Sequence, residues 1–196
     1  MTNPAAPWPV RSTLALCEAA EVSEDATKLL TATTAEPTQR VFVATLVERE
    51  LFADAIAILA HALPRREAVW WAWVCARKVS GPTPPSKIQA ALDATERWIV
   101  QPSEENRRQA MQFGEAADFG TPAGAAALSA FFSGGSLSPI DAPPVPPTEF
   151  LTAKAVAGSV TMAAVIAEPE KAKEKFTEFV RLALEVADRT KLWPLA

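Results

Sequence analysis

Side chains that often bind metal ions or act in catalysis are scarce in this 196-residue chain, which has one histidine, two cysteines and no tyrosine. A zinc or iron site needs several histidine or cysteine ligands at short spacings, and His61, Cys17 and Cys75 are far apart in sequence. The seven glycines form no phosphate-binding G-x-G-x-x-G or P-loop motif. We therefore expect no bound metal and no cofactor.

An excess of positive charge is also absent, because 19 lysines and arginines are outnumbered by 23 aspartates and glutamates, for a net charge of −4. Surfaces that bind nucleic acid are usually strongly basic, so we expect no nucleic-acid partner. The longest strongly apolar helical run without a charge is residues 155–167, which is short of the roughly 20 residues that span a bilayer. We therefore expect no membrane insertion.

Export signals are not evident in the sequence. Residues 1–10 carry neither the basic residues nor the apolar segment of a secretory signal, and the Arg65-Arg66 pair lies too far into the chain to be a twin-arginine signal. Cys17 and Cys75 lie in apolar helical patterns without C-x-x-C spacing, which indicates reduced, buried thiols. We expect a cytoplasmic location.

Hydrophobic residues, by contrast, make up 49% of the chain, and they recur with helical periodicity. Serine, threonine and proline residues mark the positions where helices begin. These patterns predict an all-α fold, a compact bundle of about eight to ten short helices in an orthogonal or solenoid-like arrangement. The predicted helices cover residues 12–20, 23–30, 37–49, 52–62, 65–79, 86–100, 103–117, 121–132 and 149–167, with a last helix opened by Pro169.

The chain is expected to form a single domain over residues 1–196, with the first ten residues flexible. Its best candidate for an internal boundary is the glycine- and proline-rich break at residues 81–85. Residues 136–147 are too rich in proline to be helical, which predicts an extended loop that connects two helices.

Three tryptophans, Trp70, Trp71 and Trp73, lie in the most apolar predicted helix, at residues 65–79. Consecutive helical positions point about 100° apart, so the three rings cannot share one face. Either all three pack inside the bundle, or Trp71 lies in the core while Trp70 or Trp73 reaches a groove or a partner. With the charged residues of the first turn, the partner-binding candidates are Arg65, Arg66, Glu67, Trp70 and Trp73.

An alternative polar site is centred on His61, the only histidine. An imidazole beside Glu67 or Cys75 could act as a general base in a small hydrolase or bind a small molecule. The other interpretation is structural, because His61 ends an amphipathic helix and its ring can lie on the last carbonyl groups.

The block at residues 61–72, HALPRREAVWWA, resembles the signature of an uncharacterised bacterial family of small helical proteins. Two later segments, residues 121–139 and 151–160, are similar to the same family, so the resemblance covers nearly the whole chain. Proteins of this kind are loosely associated with type VI secretion gene clusters. The resemblance therefore implies an adaptor, accessory or chaperone-like role, and it supplies no catalytic residue.

The leading hypothesis is a non-enzymatic protein that binds another protein. Its basis is the lack of converging catalytic groups, the tryptophan-rich helix and the resemblance. A small hydrolase or small-molecule-binding protein that uses His61 is the alternative from a different class. A self-assembling structural protein, which would form a homo-oligomer, is the third hypothesis.

Overall fold

A computed structural model describes residues 11–193, and ten α-helices account for most of them, with no strand in that range. The all-α class and the expected number of helices are thereby confirmed. In chain order the helices are α1 (Thr13–Ala20), α2 (Glu24–Thr31), α3 (Gln39–Glu48), α4 (Phe52–Ala62), α5 (Arg65–Val79), α6 (Ser86–Val100), α7 (Glu104–Ala116), α8 (Pro122–Phe131), α9 (Leu151–Val165) and α10 (Ala172–Arg189). A short 3₁₀ turn, Pro169–Lys171, precedes α10.

Several helices begin at the capping residues that the sequence indicates. The side chains of Ser23, Ser103 and Thr121 each accept a hydrogen bond from the backbone N–H three positions later, at 3.2, 3.2 and 3.0 Å. Each bond satisfies one of the N–H groups that a helix start leaves unpaired. The expectation that Pro37 opens the third helix is wrong by two residues, because Thr38 supplies the capping side chain and α3 begins after it.

Helices α5 and α9 lie at the centre of the bundle. Helix α5 packs against α6, α8, α9 and α10, and α9 also packs against α4, α8 and α10. The side chains of Trp71, Ala72 and Cys75 in α5, and of Val156 and Val160 in α9, have no exposed surface. Residues 68–76 of α5 are apolar on every side of the helix, and the neighbours of α5 on several sides explain this pattern.

The break at residues 81–85 turns the chain between α5 and α6. Gly81 has a φ of 72°, in the left-handed region that glycine adopts without a steric penalty. Helices before the break pack against helices after it, since α5 contacts α6 and α8. The single-domain organisation stays a prediction, and the expected flexibility of residues 1–10 concerns a segment outside the described residues.

The proline-rich segment 136–147 connects α8 to α9 and contains no helix, as predicted. Two arginines of α7 bind its first residues. The buried guanidinium of Arg107 donates to the backbone oxygen of Ser136 at 2.8 Å, and Arg108 donates to that of Ser138 at 3.0 Å. The loop is therefore tied to α7 by charge-assisted hydrogen bonds.

The lengths and compositions of the helices show whether any of them could cross a membrane. Within the described range, no single helix is both long enough and apolar enough to cross a membrane. The segments Leu151–Val165 and Pro169–Arg189 meet these two criteria of length and apolar composition only when they are counted together, and their axes are bent by 113°.

Candidate functional site: the Trp70 groove and the His61 cavity

The three tryptophans of α5 lie in three different environments. Trp71 is fully buried, and its indole N–H donates to the backbone oxygen of Phe179 in α10 at 2.9 Å. Trp73 is partly buried, and its indole N–H donates to the backbone oxygen of Leu92 in α6 at 3.0 Å. Trp70 is also partly buried, but its indole N–H donates to no group among the described residues. Of the three, Trp70 is the one whose donor is open to a partner.

Trp70 lies in a groove of about 270 Å³ between α5 and the C-terminal ends of α6 and α10. Arg66, Glu67 and Trp70 are spaced by three and four positions, which places them on one face of α5. Ile99 and Val186 add apolar surface from the other two helices. We call this surface the Trp70 groove; its lining residues are Arg66, Glu67, Trp70, Ile99, Val186, Arg189 and Thr190.

Charged side chains form part of the groove wall. The guanidinium of Arg66 donates to the backbone oxygens of Ile99 and Val100 at 2.6 and 3.5 Å, and so caps the end of α6. Within residues 11–193, neither Arg189 nor Glu67 forms an ion pair. The groove therefore combines apolar surface with two guanidinium groups and one carboxylate.

Two of the predicted partner-binding residues lie elsewhere. Trp73 packs toward α6, and Arg65 donates to the backbone oxygens of Ser133 and Glu149 at 3.0 and 3.4 Å. The structure thus brings together three of the five predicted residues in one groove, namely Arg66, Glu67 and Trp70.

A second cavity, of about 210 Å³, lies where α4 ends and α9 begins. Polar side chains reach it from four parts of the chain, and alanine and leucine side chains line the rest. We call it the His61 cavity; the residues that matter for its chemistry are Arg11, His61, Arg65, Glu149, Phe150 and Thr152.

His61 is 5% exposed, and its ring packs against that of Phe150 with the centroids 5.2 Å apart. Its Nδ1 lies 2.7 Å from the backbone oxygen of Ala57, so we assign the proton to Nδ1, which donates to that carbonyl. The other nitrogen, Nε2, is buried and has no hydrogen-bond partner among the described residues. Burial lowers the pKa of His61 below its usual value of 6.5, so the ring is neutral near pH 7.

The groups that the sequence suggested as partners of His61 do not line its cavity. Glu67 lines the Trp70 groove. Both cysteines are free and buried, as predicted, and burial raises the pKa of the Cys75 thiol well above its usual range, so its sulfur stays protonated. Asp54, which lies on α4 with His61, is engaged elsewhere, since its carboxylate accepts hydrogen bonds from the backbone N–H and hydroxyl of Ser23 at 2.7 and 2.8 Å. The described residues also contain no group of three or more histidine, cysteine, aspartate or glutamate side chains that could hold a metal ion.

Sequence reasoning missed several residues that complete the two sites. Val186 and Arg189 reach the Trp70 groove from α10, and Arg11 and Phe150 reach the His61 cavity from segments far from α4 in sequence. Of these residues, only Val186 and Arg189 could have been found from a local sequence pattern, because they lie one turn apart at the end of an amphipathic helix.

We expect the stability of the protein to decrease as the pH falls from about 8 to about 5, with part of this decrease due to His61. The unfolded chain binds a proton near pH 6.5, whereas the folded state resists protonation because burial lowers the pKa of His61. Among neighbouring charges, Lys154 and Arg11 lower this pKa further and Glu21 raises it. The free energy of unfolding from urea titrations at several pH values measures the effect.

His61→Leu serves as the control for this prediction, because leucine keeps apolar bulk and does not titrate. Its stability should change less between pH 8 and pH 5 than that of the wild type. Identical pH profiles for the two proteins would contradict the assignment of a neutral, buried imidazole.

The fold and these two concave surfaces define an all-α helical bundle with an apolar groove on one side and a small polar cavity at the junction of α4 and α9. The chain belongs to DUF6931, a family of unknown function, whose sequence model matches residues 42–187. This confirms membership of an uncharacterised family, which is the coarser part of the resemblance. No curated protein and no solved structure matches the chain.

Proposed function

We propose that the protein is a non-enzymatic adaptor or accessory factor that binds a partner protein in the Trp70 groove. The observation that carries the proposal is the position of Trp70, whose ring adjoins an apolar groove while its indole N–H has no partner among the described residues. Tryptophan and arginine are the residues that most often dominate binding energy at protein interfaces. Both are present in this groove.

The chemistry of the groove specifies the partner segment. Trp70, Ile99 and Val186 offer an apolar surface to an inserted aliphatic or aromatic side chain. Arg189 offers a guanidinium that pairs with no carboxylate within the described part of the chain, and such a group binds carboxylates in a bidentate manner. We propose a segment that places an apolar side chain against Trp70 and an aspartate, glutamate or terminal carboxylate on Arg189.

The resemblance supplies a candidate class for this partner. Because the resemblance implies an association with type VI secretion gene clusters, we propose a component or effector of such a system, bound in the bacterial cytoplasm. This part of the proposal depends on the resemblance, whereas the groove chemistry stands on the geometry alone.

Affinity capture from cells of the source bacterium, followed by quantitative mass spectrometry, tests the proposal. Arg189→Glu reverses the charge at the groove. Arg181→Glu makes the same change on α10 at an exposed position outside the groove, where Arg181 pairs with Glu185. We expect a stoichiometric partner that the wild type and Arg181→Glu retain and that Arg189→Glu binds at least tenfold more weakly, a difference of about 1.4 kcal/mol.

Three outcomes would contradict the proposal. One is equal recovery of the partner by both arginine variants. Another is loss of the partner from Ile140→Ala, which alters an 80% exposed residue of the proline-rich loop and would place the interface there. A third is the absence of any partner other than a second copy of the chain, which light scattering would show as a homo-oligomer and which would favour the self-assembly hypothesis.

A further inference from the structure

We infer that the His61 cavity binds a small carboxylate that carries a hydroxyl or amino group close to its carboxyl carbon. This site shares no lining residue with the Trp70 groove, so the inference does not depend on the proposed protein partner. It rests on three properties of the cavity: an unused acceptor, an uncompensated positive charge and a small volume.

The acceptor is Nε2 of His61. With Nδ1 donating to the backbone oxygen of Ala57, Nε2 carries a lone pair and no proton. This atom is buried without a hydrogen-bond partner in the described part of the protein, although buried polar atoms are nearly always paired. A ligand that donates an O–H or N–H to Nε2 would supply the missing bond.

The positive charge belongs to Arg65. Of the charged groups that line the cavity, Arg11 forms an ion pair with Glu149, and the Arg11 guanidinium also lies 5.0 Å from the centre of the Phe150 ring. Arg65 donates only to backbone oxygens, those of Ser133 and Glu149. A guanidinium has five N–H donors, so the remaining donors of Arg65 can bind a ligand carboxylate and neutralise the charge.

The volume limits the size of the ligand. At roughly 30 Å³ per water molecule, a cavity of about 210 Å³ holds the equivalent of about seven waters. That is below the range of about 300–1,000 Å³ found for pockets that bind drug-sized molecules. Leu63, Ala153 and the Phe150 ring provide apolar walls for a short carbon chain. A three- or four-carbon acid matches this space.

Lactate, L-alanine and propionate form a matched set of probes, because they share a three-carbon carboxylate and differ in carrying a hydroxyl, an amino group or neither. His61 is the only histidine, so in protein without an affinity tag every imidazole ¹⁵N signal belongs to it. In NMR titrations near pH 7.5 we expect lactate or alanine to bind at least tenfold more tightly than propionate and to shift the Nε2 resonance, since propionate leaves Nε2 unpaired. Whichever of the two binds more tightly identifies the donor as a hydroxyl or an amino group.

Two variants separate the acceptor from the charge. His61→Leu removes the acceptor, so lactate, alanine and propionate should bind it with the same affinity. Arg65→Gln removes the guanidinium and should weaken all three acids about tenfold. Arg40→Gln, which removes an exposed arginine paired with Asp188, should leave every affinity unchanged. If Arg65→Gln fails to fold, the comparison of His61→Leu with the wild type still decides whether Nε2 of His61 binds the hydroxyl or amino group of the acid.

Equal affinities of the wild type for the three acids would overturn the inference, as would the absence of binding by both lactate and alanine at millimolar concentration. An Nε2 resonance that stays unchanged while lactate or alanine binds would also overturn it. Arg189→Glu separates this site from the Trp70 groove, because it should bind the acids as the wild type does. Failure of either proposal would therefore be distinguishable from failure of the other.

Discussion

Replacing Trp71 with alanine is expected to lower the free energy of unfolding by about 3–5 kcal/mol, the range for removing a large aromatic side chain from a core. Trp71 has no exposed surface and lies in α5, which packs against four other helices. Its loss would leave a cavity at the centre of the bundle and remove the hydrogen bond to the backbone oxygen of Phe179. Domains of this size are usually stable by about 5–15 kcal/mol, so the variant would lose a large share of its stability.

Urea titration followed by far-ultraviolet circular dichroism measures this change without depending on the fluorescence of the six tryptophans. Trp71→Phe is the control, because it keeps most of the buried apolar surface and loses the indole donor. Its expected cost is about 0.5–1.5 kcal/mol, the net contribution of one hydrogen bond, because Phe179 lies inside α10 and its oxygen keeps its intrahelical bond. A loss below about 1 kcal/mol for Trp71→Ala would contradict the central position of α5, because core substitutions of this kind cost more.

Replacing Gly124 with alanine is expected to cost about 2–3 kcal/mol, because overpacking a close contact forces the backbone to shift. Gly124 lies in the first turn of α8, and an added Cβ would lie 2.1 Å from the backbone oxygen of Asp118 and 3.0 Å from that of Gly114. The Asp118 oxygen also accepts the backbone N–H of Thr121 at 3.0 Å, so the connection between α7 and α8 would have to move with it.

Gly158→Ala makes the same chemical change in α9, where nothing lies within 4 Å of the added Cβ apart from the adjacent residues and backbone of its own helix. There the substitution should stabilise the protein by about 0.5–1 kcal/mol, because alanine is the better helix former. Thermal and urea unfolding of the two variants, measured side by side, isolate the effect of crowding. Equal stabilities for Gly124→Ala and Gly158→Ala would contradict the close packing of α7 against α8.

Local features of the sequence were sufficient to predict most helices. Ser23, Ser103 and Thr121 act as the expected caps because a side-chain oxygen can satisfy a nearby N–H whatever the rest of the chain does. The central position of α5 agrees with residues 68–76, which are apolar on every side of that helix. The start of α3 was predicted two residues early because Pro37 and Thr38 are both suitable residues for a helix start, and only the structure shows that Thr38 supplies the capping bond.

The two candidate sites were only partly predictable because residues distant in sequence complete them. Arg66 and Trp70 could be proposed from their shared face on α5, but Arg189 joins them only through the packing of α10. His61 could be singled out as the only histidine. Its unpaired Nε2 and the presence of Arg11 in the same cavity depend on the angle at which the helices meet, which the sequence pattern does not specify.

The comparison of Arg189→Glu with Arg181→Glu in affinity capture tests the proposed function most directly. Both variants carry the same charge change on α10, and only Arg189 lines the Trp70 groove. The proposal predicts a stoichiometric partner protein that is retained by Arg181→Glu and depleted at least tenfold by Arg189→Glu, which corresponds to about 1.4 kcal/mol of binding free energy. Equal retention of that partner by the two variants would contradict it.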